Sequence, residues 1–172
     1  ANANPDLVAI IADASQLNRS LFMLADFAGI RVPSVLIMNM MDIAEQQGKK
    51  IDIAGFEKEL GIPVIPLVAA DKTSYKDLFA FLDGFTGKTF LNESFSDRMY
   101  NNLADYYVKI KDCIPSEGIG VFSQSWISVK LIEKDAAVTA LVQKTLPNEK
   151  SAKVKELLAQ VTNGNIDTGS CK

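Results

Sequence analysis

Residues 39–42 (NMMD) carry the side chains whose types and spacing can do chemistry. They follow an apolar run, residues 34–38, that is typical of a buried strand. A carboxylate such as Asp42 at a strand end can accept two hydrogen bonds, from the ring N–H and the exocyclic amine of guanine. Adenine has no such pair of donors. The pattern therefore predicts selective recognition of a guanine base, with Asn39 holding the base and the neighbouring loop.

The pattern has the form N-[KM]-x-D, with which GTPases recognise guanine. Val68, Ala69 and Ala70 follow the third predicted strand, where GTPases place a small loop whose backbone N–H reaches the guanine carbonyl. Ligands of open α/β sheets lie at the carboxyl ends of the strands, and both elements fall there. The alternative is a strand-to-helix turn in which Asp42 only caps the next helix.

A phosphate loop of the form G-x-x-x-x-G-K-[ST] is missing from the sequence. Residues 84–89 (GFTGKT) contain part of the motif, but Leu82 stands where the first glycine is needed, and a helix rather than a strand is predicted before it. We interpret this segment as a helix end and a linker. The sequence thus indicates half of a nucleotide site and no catalytic residue.

Other acidic residues have simpler explanations. Asp13 follows the first predicted strand and could resemble a magnesium ligand, but without a phosphate loop we expect it to cap the next helix. An unrelated α/β enzyme using Asp42 or Asp71 as acid or base is disfavoured, because no histidine or nucleophile accompanies them.

Composition excludes several classes of function. The 172 residues carry a net charge of -3 and no long basic run, so nucleic acid is not an expected partner. Histidine is absent, and Cys113 and Cys171 are far apart, so no metal site is expected. The sequence contains neither a membrane-spanning apolar run nor a signal-peptide pattern, which predicts a soluble cytoplasmic domain.

Hydrophobic patterns predict an α/β domain over residues 4–87. Three parallel strands are expected, and the first, being continuously apolar, is expected to be buried on both faces. The strands are predicted at 6–12, 34–38 and 63–67, and the helices at 16–29, 42–47, 54–60 and 75–85.

Residues 88–162 are predicted to form a small all-α helical domain. Apolar residues recur there at helical spacing, and Trp126 is expected to be a packing anchor. Residues 163–172 have little to bury and are expected to be a disordered tail. The helices are predicted at 95–114, 122–132, 136–142 and 152–161.

Residues 4–78 resemble the cytosolic G domain of the ferrous iron transport protein B family, and residues 125–135 more weakly resemble the helical domain that follows it. The resemblance is carried by a few specific segments: D-A-x-x-L-x-R from Asp13 to Arg19, NMMD, Ala44-Glu45, Ile51-Asp52 and G-x-P-V-x-P from Gly61 to Pro66.

This resemblance implies part of a P-loop-GTPase-like sheet, in a protein whose G domain binds and hydrolyses GTP while a membrane region moves Fe(II) into the cell. By position, Asn39 and Asp42 would contact guanine, Met40 would cover the base in place of the usual lysine, and Ala69 would supply the backbone donor. Residues 70–73 replace the family's usual basic residue and glycines, which predicts a looser loop.

The family's phosphate loop, switches and Mg²⁺ ligands precede the first strand, so the chain looks like an N-terminally truncated piece. We expect no GTP hydrolysis by this chain. We expect GTP or GDP binding weaker than millimolar, because base hydrogen bonds worth ~0.5 to 3 kcal/mol each must offset an association cost of ~4 to 15 kcal/mol.

The expected partner is the remainder of the transporter, at the cytoplasmic face of the cell membrane. A strand edge left uncovered at residues 7–12 also predicts a homodimer. The alternative function is a degenerate G-domain-like protein-interaction module that does not hydrolyse nucleotide.

Overall fold

The computed structural model describes residues 5–87, 90–91 and 104–163, with side chains described up to residue 160. The chain forms two compact units, residues 1–95 and 96–172, whereas the sequence pattern places the boundary after residue 87. Each unit is described by itself.

The first unit contains a three-stranded parallel sheet in the order β1-β2-β3. Its strands are β1 (Val8–Asp13), β2 (Ser34–Asn39) and β3 (Val64–Pro66). Asp13 is level with Asn39, and Met38 with Pro66, so the strands end together at one edge of the sheet. The predicted α/β arrangement of three parallel strands is confirmed.

The prediction that β1 is buried on both faces is wrong. Ile10 and Ala12 are buried, but Ala9 is exposed and Ile11 is 61% exposed. The reason is that burial alternates along β1, so that the face of Ile10 and Ala12 joins the core while the face of Ala9 and Ile11 does not. Central β2 is buried from Ser34 to Met38, which is the pattern expected of a strand covered on both faces.

In the described residues of this unit, four helices accompany the sheet. Capping residues set their ends: Asp52 accepts the Gly55 N–H at 2.9 Å to start one helix, and Gly61, with a φ of 73°, ends it. The largest fully buried side chains of this core are Leu24, Leu36, Met38, Leu60 and Ile62. The helices are α1 (Leu17–Phe27), α2 (Met41–Gln46), α3 (Ile53–Leu60) and α4 (Lys76–Asp83), with 3₁₀ turns at Ala14–Gln16 and Lys72–Tyr75.

The described part of the second unit is helical. Trp126 stacks on Phe122 with 4.5 Å between ring centroids and packs against the buried core, so its predicted role as an anchor is confirmed. The predicted helix at residues 95–114 begins outside the described residues. Residues 164–172 of the predicted tail also lie outside them. The helices are α5 (Ala104–Lys111), α6 (Gln124–Ile132), α7 (Ala136–Thr145) and α8 (Asn148–Asn163).

None of the helices in the described ranges is both long and apolar enough to cross a lipid bilayer.

Candidate guanine-recognition site

The two segments expected to recognise guanine lie side by side at the carboxyl edge of the sheet. Asn39 ends β2, and the loop of residues 68–70 follows β3. The Asn39 Oδ1 accepts the Ala69 N–H at 3.0 Å. The Leu67 N–H also donates to the Met38 carbonyl at 2.8 Å, so main-chain and side-chain bonds together hold the loop against the end of β2.

Within this loop, Ala69 and Ala70 differ in what their N–H groups can do. The Ala69 N–H was expected to face a base, but it donates to Asn39. The Ala70 N–H has no acceptor among the described residues, and Ala70 is exposed. Sequence reasoning could not separate the two alanines, because the distinction depends on which N–H the Asn39 side chain takes.

Ser74 and Tyr75, which the sequence did not single out, hold the loop from behind. The Ser74 Oγ accepts the Val68 N–H at 3.2 Å, and the Tyr75 hydroxyl donates to the Ala69 carbonyl at 2.9 Å. Asp71 accepts the Thr73 N–H at 2.9 Å. Asp71 and Thr73, which belong to the segment expected to loosen the loop, therefore supply a hydrogen bond within it.

Met40 has a left-handed backbone, with φ 60° and ψ 34°, and its side chain is 45% exposed. This conformation costs a non-glycine residue about 1–2 kcal/mol, and such strain is often found at functional sites. An exposed thioether side chain next to Asn39 can lie over a flat ring.

Asp42 lies in the first turn of α2, and its Oδ1 is buried without a hydrogen-bond partner among the described residues. A buried, unsatisfied polar atom costs about 1–3 kcal/mol, and more when it is charged. Ala44, two positions later, is fully buried, so α2 is held in place and the carboxylate with it. The arrangement leaves one carboxylate oxygen, Oδ1, without a hydrogen bond in the described residues.

Asp13 and Asp71 are engaged by their own backbones. The Asp13 carboxylate accepts the Ser15 hydroxyl at 2.6 Å and the Ser15 N–H at 2.8 Å, and the hydroxyl bond chiefly lowers the pKa of Asp13. Asp13 is a cap, but of the 3₁₀ turn Ala14–Gln16 and not of the helix as expected, because α1 begins after Gln16 without a side-chain cap. The Thr73 N–H likewise lowers the pKa of Asp71. Neither carboxyl is prepared to hold a proton at neutral pH.

Across the described residues, no group of three or more His, Cys, Asp or Glu side chains is placed to hold a metal ion.

A family model described as ferrous iron transport protein B matches residues 1–81. The chain is similar to the Fe(2+) transporter FeoB of Escherichia coli K12, with 28% identity over 134 residues, covering 78% of this chain. It is also similar to the transporter of the same name from Salmonella typhimurium LT2, with 37% identity over 68 residues, 40% of this chain and 9% of that protein.

Solved structures with the same fold include NFeoB from S. thermophilus bound to GDP, AlF4⁻ and K⁺. The TM-score is 0.63 at 22% identity, over 88% of this chain and 58% of that one. The cytosolic domain of the T. maritima FeoB iron transporter, in apo form, gives 0.63 at 19% identity, over 94% of this chain and 68% of that one. These likenesses show that the fold is that of a G domain with α/β architecture.

The chain spans 17% of the length of the E. coli relative. The family model covers the whole described sheet and both segments of the candidate site, because residues 39–42 and 68–70 lie within residues 1–81. The chain is therefore similar to the ferrous iron transport protein B family over residues 1–81, which hold the described sheet and the candidate site.

Proposed function

We propose that this chain is part of the cytosolic guanine-nucleotide-binding region of a ferrous iron transporter. The unused acceptor of Asp42 carries the proposal, because a buried carboxylate oxygen without a partner is costly unless a ligand supplies donors. Relatives named Fe(2+) transporters, and a neighbour bound to GDP, support the same reading.

Each site residue has a distinct role in this proposal. Asp42 accepts the ring N–H and exocyclic amine of guanine, and the Ala70 N–H donates to its carbonyl oxygen. Met40 covers the ring. Asn39 fixes the loop of residues 68–70 through Ala69, while its Nδ2 remains able to donate to the base. Val68 and Ala69 act as the framework of the loop and not as base donors.

These residues contact the base alone, so the chain is expected to bind guanine weakly and to transfer no phosphoryl group. Each base hydrogen bond contributes about 0.5–3 kcal/mol against an association cost of about 4–15 kcal/mol. In this proposal the phosphates and Mg²⁺ are held by other parts of the transporter, and bound nucleotide regulates Fe(II) uptake at the cytoplasmic face of the cell membrane.

The test uses nucleosides, because they carry the base without phosphates. Saturation-transfer NMR of the chain with guanosine should give signals from the base, while adenosine should give none. Asp42→Ala should remove the guanosine signal. Asp77→Ala removes an exposed acid from the first turn of α4 and is the matched control, which should leave the signal intact. Equal signals from guanosine and adenosine would refute the proposal.

The open edge of β1 supports a second candidate, a protein-interaction module that forms a homodimer. In the described sheet, β1 pairs only with β2, and Ile11 projects 61% exposed beside the free edge. Such an edge can pair with the same strand of a second copy about a two-fold axis, joining two sheets into one.

Analytical ultracentrifugation tests this second candidate. The chain should sediment as a dimer, and Ile11→Lys should convert it to a monomer because a charge disfavours pairing at an edge. Phe79 is also an exposed apolar residue, but it lies on α4 and not on β1. Phe79→Lys is therefore the control and should leave the dimer intact. A wild-type monomer at all concentrations would exclude the homodimer.

A further inference from the structure

A cleft of about 550 Å³ lies in the first unit, between the start of α1 and the loop that follows α2. Arg19 contributes from α1, and Lys49 and Lys50 contribute from the loop. We call this feature the basic cleft. It shares no lining residue with residues 39–42 or 68–70, so the proposed guanine site does not account for it.

The charges of the basic cleft are all of one sign. Three of its lining side chains are cationic and none is acidic, although the chain as a whole has a net charge of -3. Like charges held around one opening repel one another, and this repulsion is relieved when an anion enters. The cleft is therefore a positive feature on an acidic chain.

Two of the three cations are free to bind. Neither the Arg19 nor the Lys50 side chain makes a hydrogen bond or an ion pair in the described structure, and both residues are exposed. Lys49 is different, because its Nζ donates to the Ser15 carbonyl and its charge helps to lower the pKa of Asp13. Lys49 thus ties the loop to the turn after β1 and keeps Lys50 near α1.

The remaining lining suits a ligand that also has a non-ionic part. Gln16 and Asn18 offer amide groups, while Leu17 and Ile51 offer partly buried apolar surface. A guanidinium can bind two phosphoryl oxygens at once. An ammonium adds a point charge, and its electrostatic attraction to an anion is greatest when the anion is doubly charged. A carboxylate would carry only one charge for the same three cations.

We propose that the basic cleft binds a small phosphorylated compound, with its phosphoryl group between Arg19 and Lys50 and beside Lys49. Arg19 provides the paired donors, Lys50 the second charge, and Leu17 and Ile51 the contact for the rest of the ligand. This site is additional to the guanine site and would be occupied independently of it.

The test is an NMR titration of the full chain with sodium pyrophosphate, the probe for the phosphoryl group, at constant ionic strength. Amide signals of Gln16, Asn18 and Lys50 should shift and saturate, with a dissociation constant below about 1 mM. Inorganic phosphate should bind the same residues more weakly. Sulfate binding as tightly as pyrophosphate, or shifts that never saturate, would overturn the proposal by indicating general anion screening.

Charge-matched double variants complete the experiment. Arg19→Gln/Lys50→Gln should weaken pyrophosphate binding at least about tenfold, because it removes both free cations. Lys58→Gln/Lys76→Gln removes the same charge from exposed positions on α3 and α4 and should bind as the wild type does. An equal loss in both would mean that net charge alone attracts the anion. Guanosine carries no phosphate, so failure at this cleft and failure at the guanine site are distinguishable.

Discussion

The Asn39 side chain accepts the Ala69 N–H at 3.0 Å across thirty positions of sequence. This bond joins the segment at the end of β2 to the loop of residues 68–70 after β3. It also decides which alanine of the loop can face a ligand, because it occupies one N–H and leaves that of Ala70 open. In the proposed site, positioning by Asn39 and recognition of the base by Asp42 are thus separate tasks of the same short motif.

Asn39→Ala should therefore affect both stability and binding. Loss of the bond to Ala69 is expected to lower the free energy of unfolding by about 0.5–1.5 kcal/mol. Guanosine binding should also fall, because the loop is no longer held against β2. Urea denaturation and saturation-transfer NMR measure the two effects. Asn148→Ala, at an exposed asparagine outside both proposed sites, is the control, and a similar change there would argue against a special role for Asn39.

Asp42→Asn should change the base that is recognised without damaging the fold. Xanthine has a carbonyl where guanine has its exocyclic amine, so an amide can accept from the ring N–H and donate to that carbonyl. The variant should prefer xanthosine to guanosine. Its free energy of unfolding should stay within about 1 kcal/mol of wild type or rise, because the buried Oδ1 has no partner in the described residues to lose.

A preference of Asp42→Asn for guanosine, or a large loss of stability, would show that Asp42 serves the fold and not the base. Competition NMR with equal concentrations of the two nucleosides gives the preference directly, and urea denaturation of the same sample gives the stability.

Met40 and Lys134 both have left-handed backbones, with φ of 60° and 61°. Glycine removes a strain of about 1–2 kcal/mol at such a position and adds back about 0.5–1 kcal/mol of chain entropy. Met40→Gly and Lys134→Gly should thus each be more stable than wild type by up to about 1.5 kcal/mol. Only Met40→Gly should lose affinity for guanosine, because only Met40 is proposed to cover the base.

Thermal unfolding and saturation-transfer NMR of the two glycine variants test this trade between stability and binding. If Met40→Gly binds guanosine as well as Lys134→Gly does, Met40 has no role in covering the base.

Gly118 and Gly120 form a matched pair in the turn before α6, with φ of 77° and 61°. A Cβ at Gly118 would lie 2.0 Å from the Phe122 carbonyl oxygen, whereas a Cβ at Gly120 would meet nothing within 4 Å. Gly120→Ala should cost about 1–2 kcal/mol from backbone strain alone. Gly118→Ala should cost about 1–3 kcal/mol more, because the backbone must also shift. Urea denaturation of both variants checks the difference, and equal costs would contradict it.

The sequence was sufficient to predict the three strands and the place of NMMD at their carboxyl edge, because apolar runs and polar strand ends are local patterns. It could not predict that Ile11 is exposed. Burial of a strand depends on its neighbours in the sheet, and the apolar run of β1 looks the same at an edge as at the centre.

The finer features of the site also depend on tertiary structure. The left-handed Met40 is not a residue type that favours φ above zero, so no sequence signal marks it. The unpaired Oδ1 of Asp42 reflects what lies around it after folding. Ser74 and Tyr75 could have been noticed as polar residues after the loop. Their hydrogen bonds to Val68 and Ala69 could not have been predicted from the sequence.

Acid should weaken the fold partly through Asp71. Its pKa lies below the ordinary value of 3.8 because the carboxylate accepts the Thr73 N–H at 2.9 Å and then the Thr73 hydroxyl. A pKa lowered by folding means that the folded state resists protonation, so the contribution is present above pH 3.8 and is lost as the pH falls below it. Asp71→Asn should accordingly show a shallower loss of stability in acid.

Urea denaturation from pH 7 down to about pH 2.5 measures this dependence for wild type and Asp71→Asn. Thr73→Val removes the hydroxyl but keeps the N–H that contributes most, so it should retain most of the acid dependence. Asp77→Asn makes the same charge change on α4 and is the control. If Asp71→Asn and Asp77→Asn flatten the profile equally, net charge and not the bond to Thr73 sets the acid sensitivity, and Asp71 has no special part in holding the loop that follows β3.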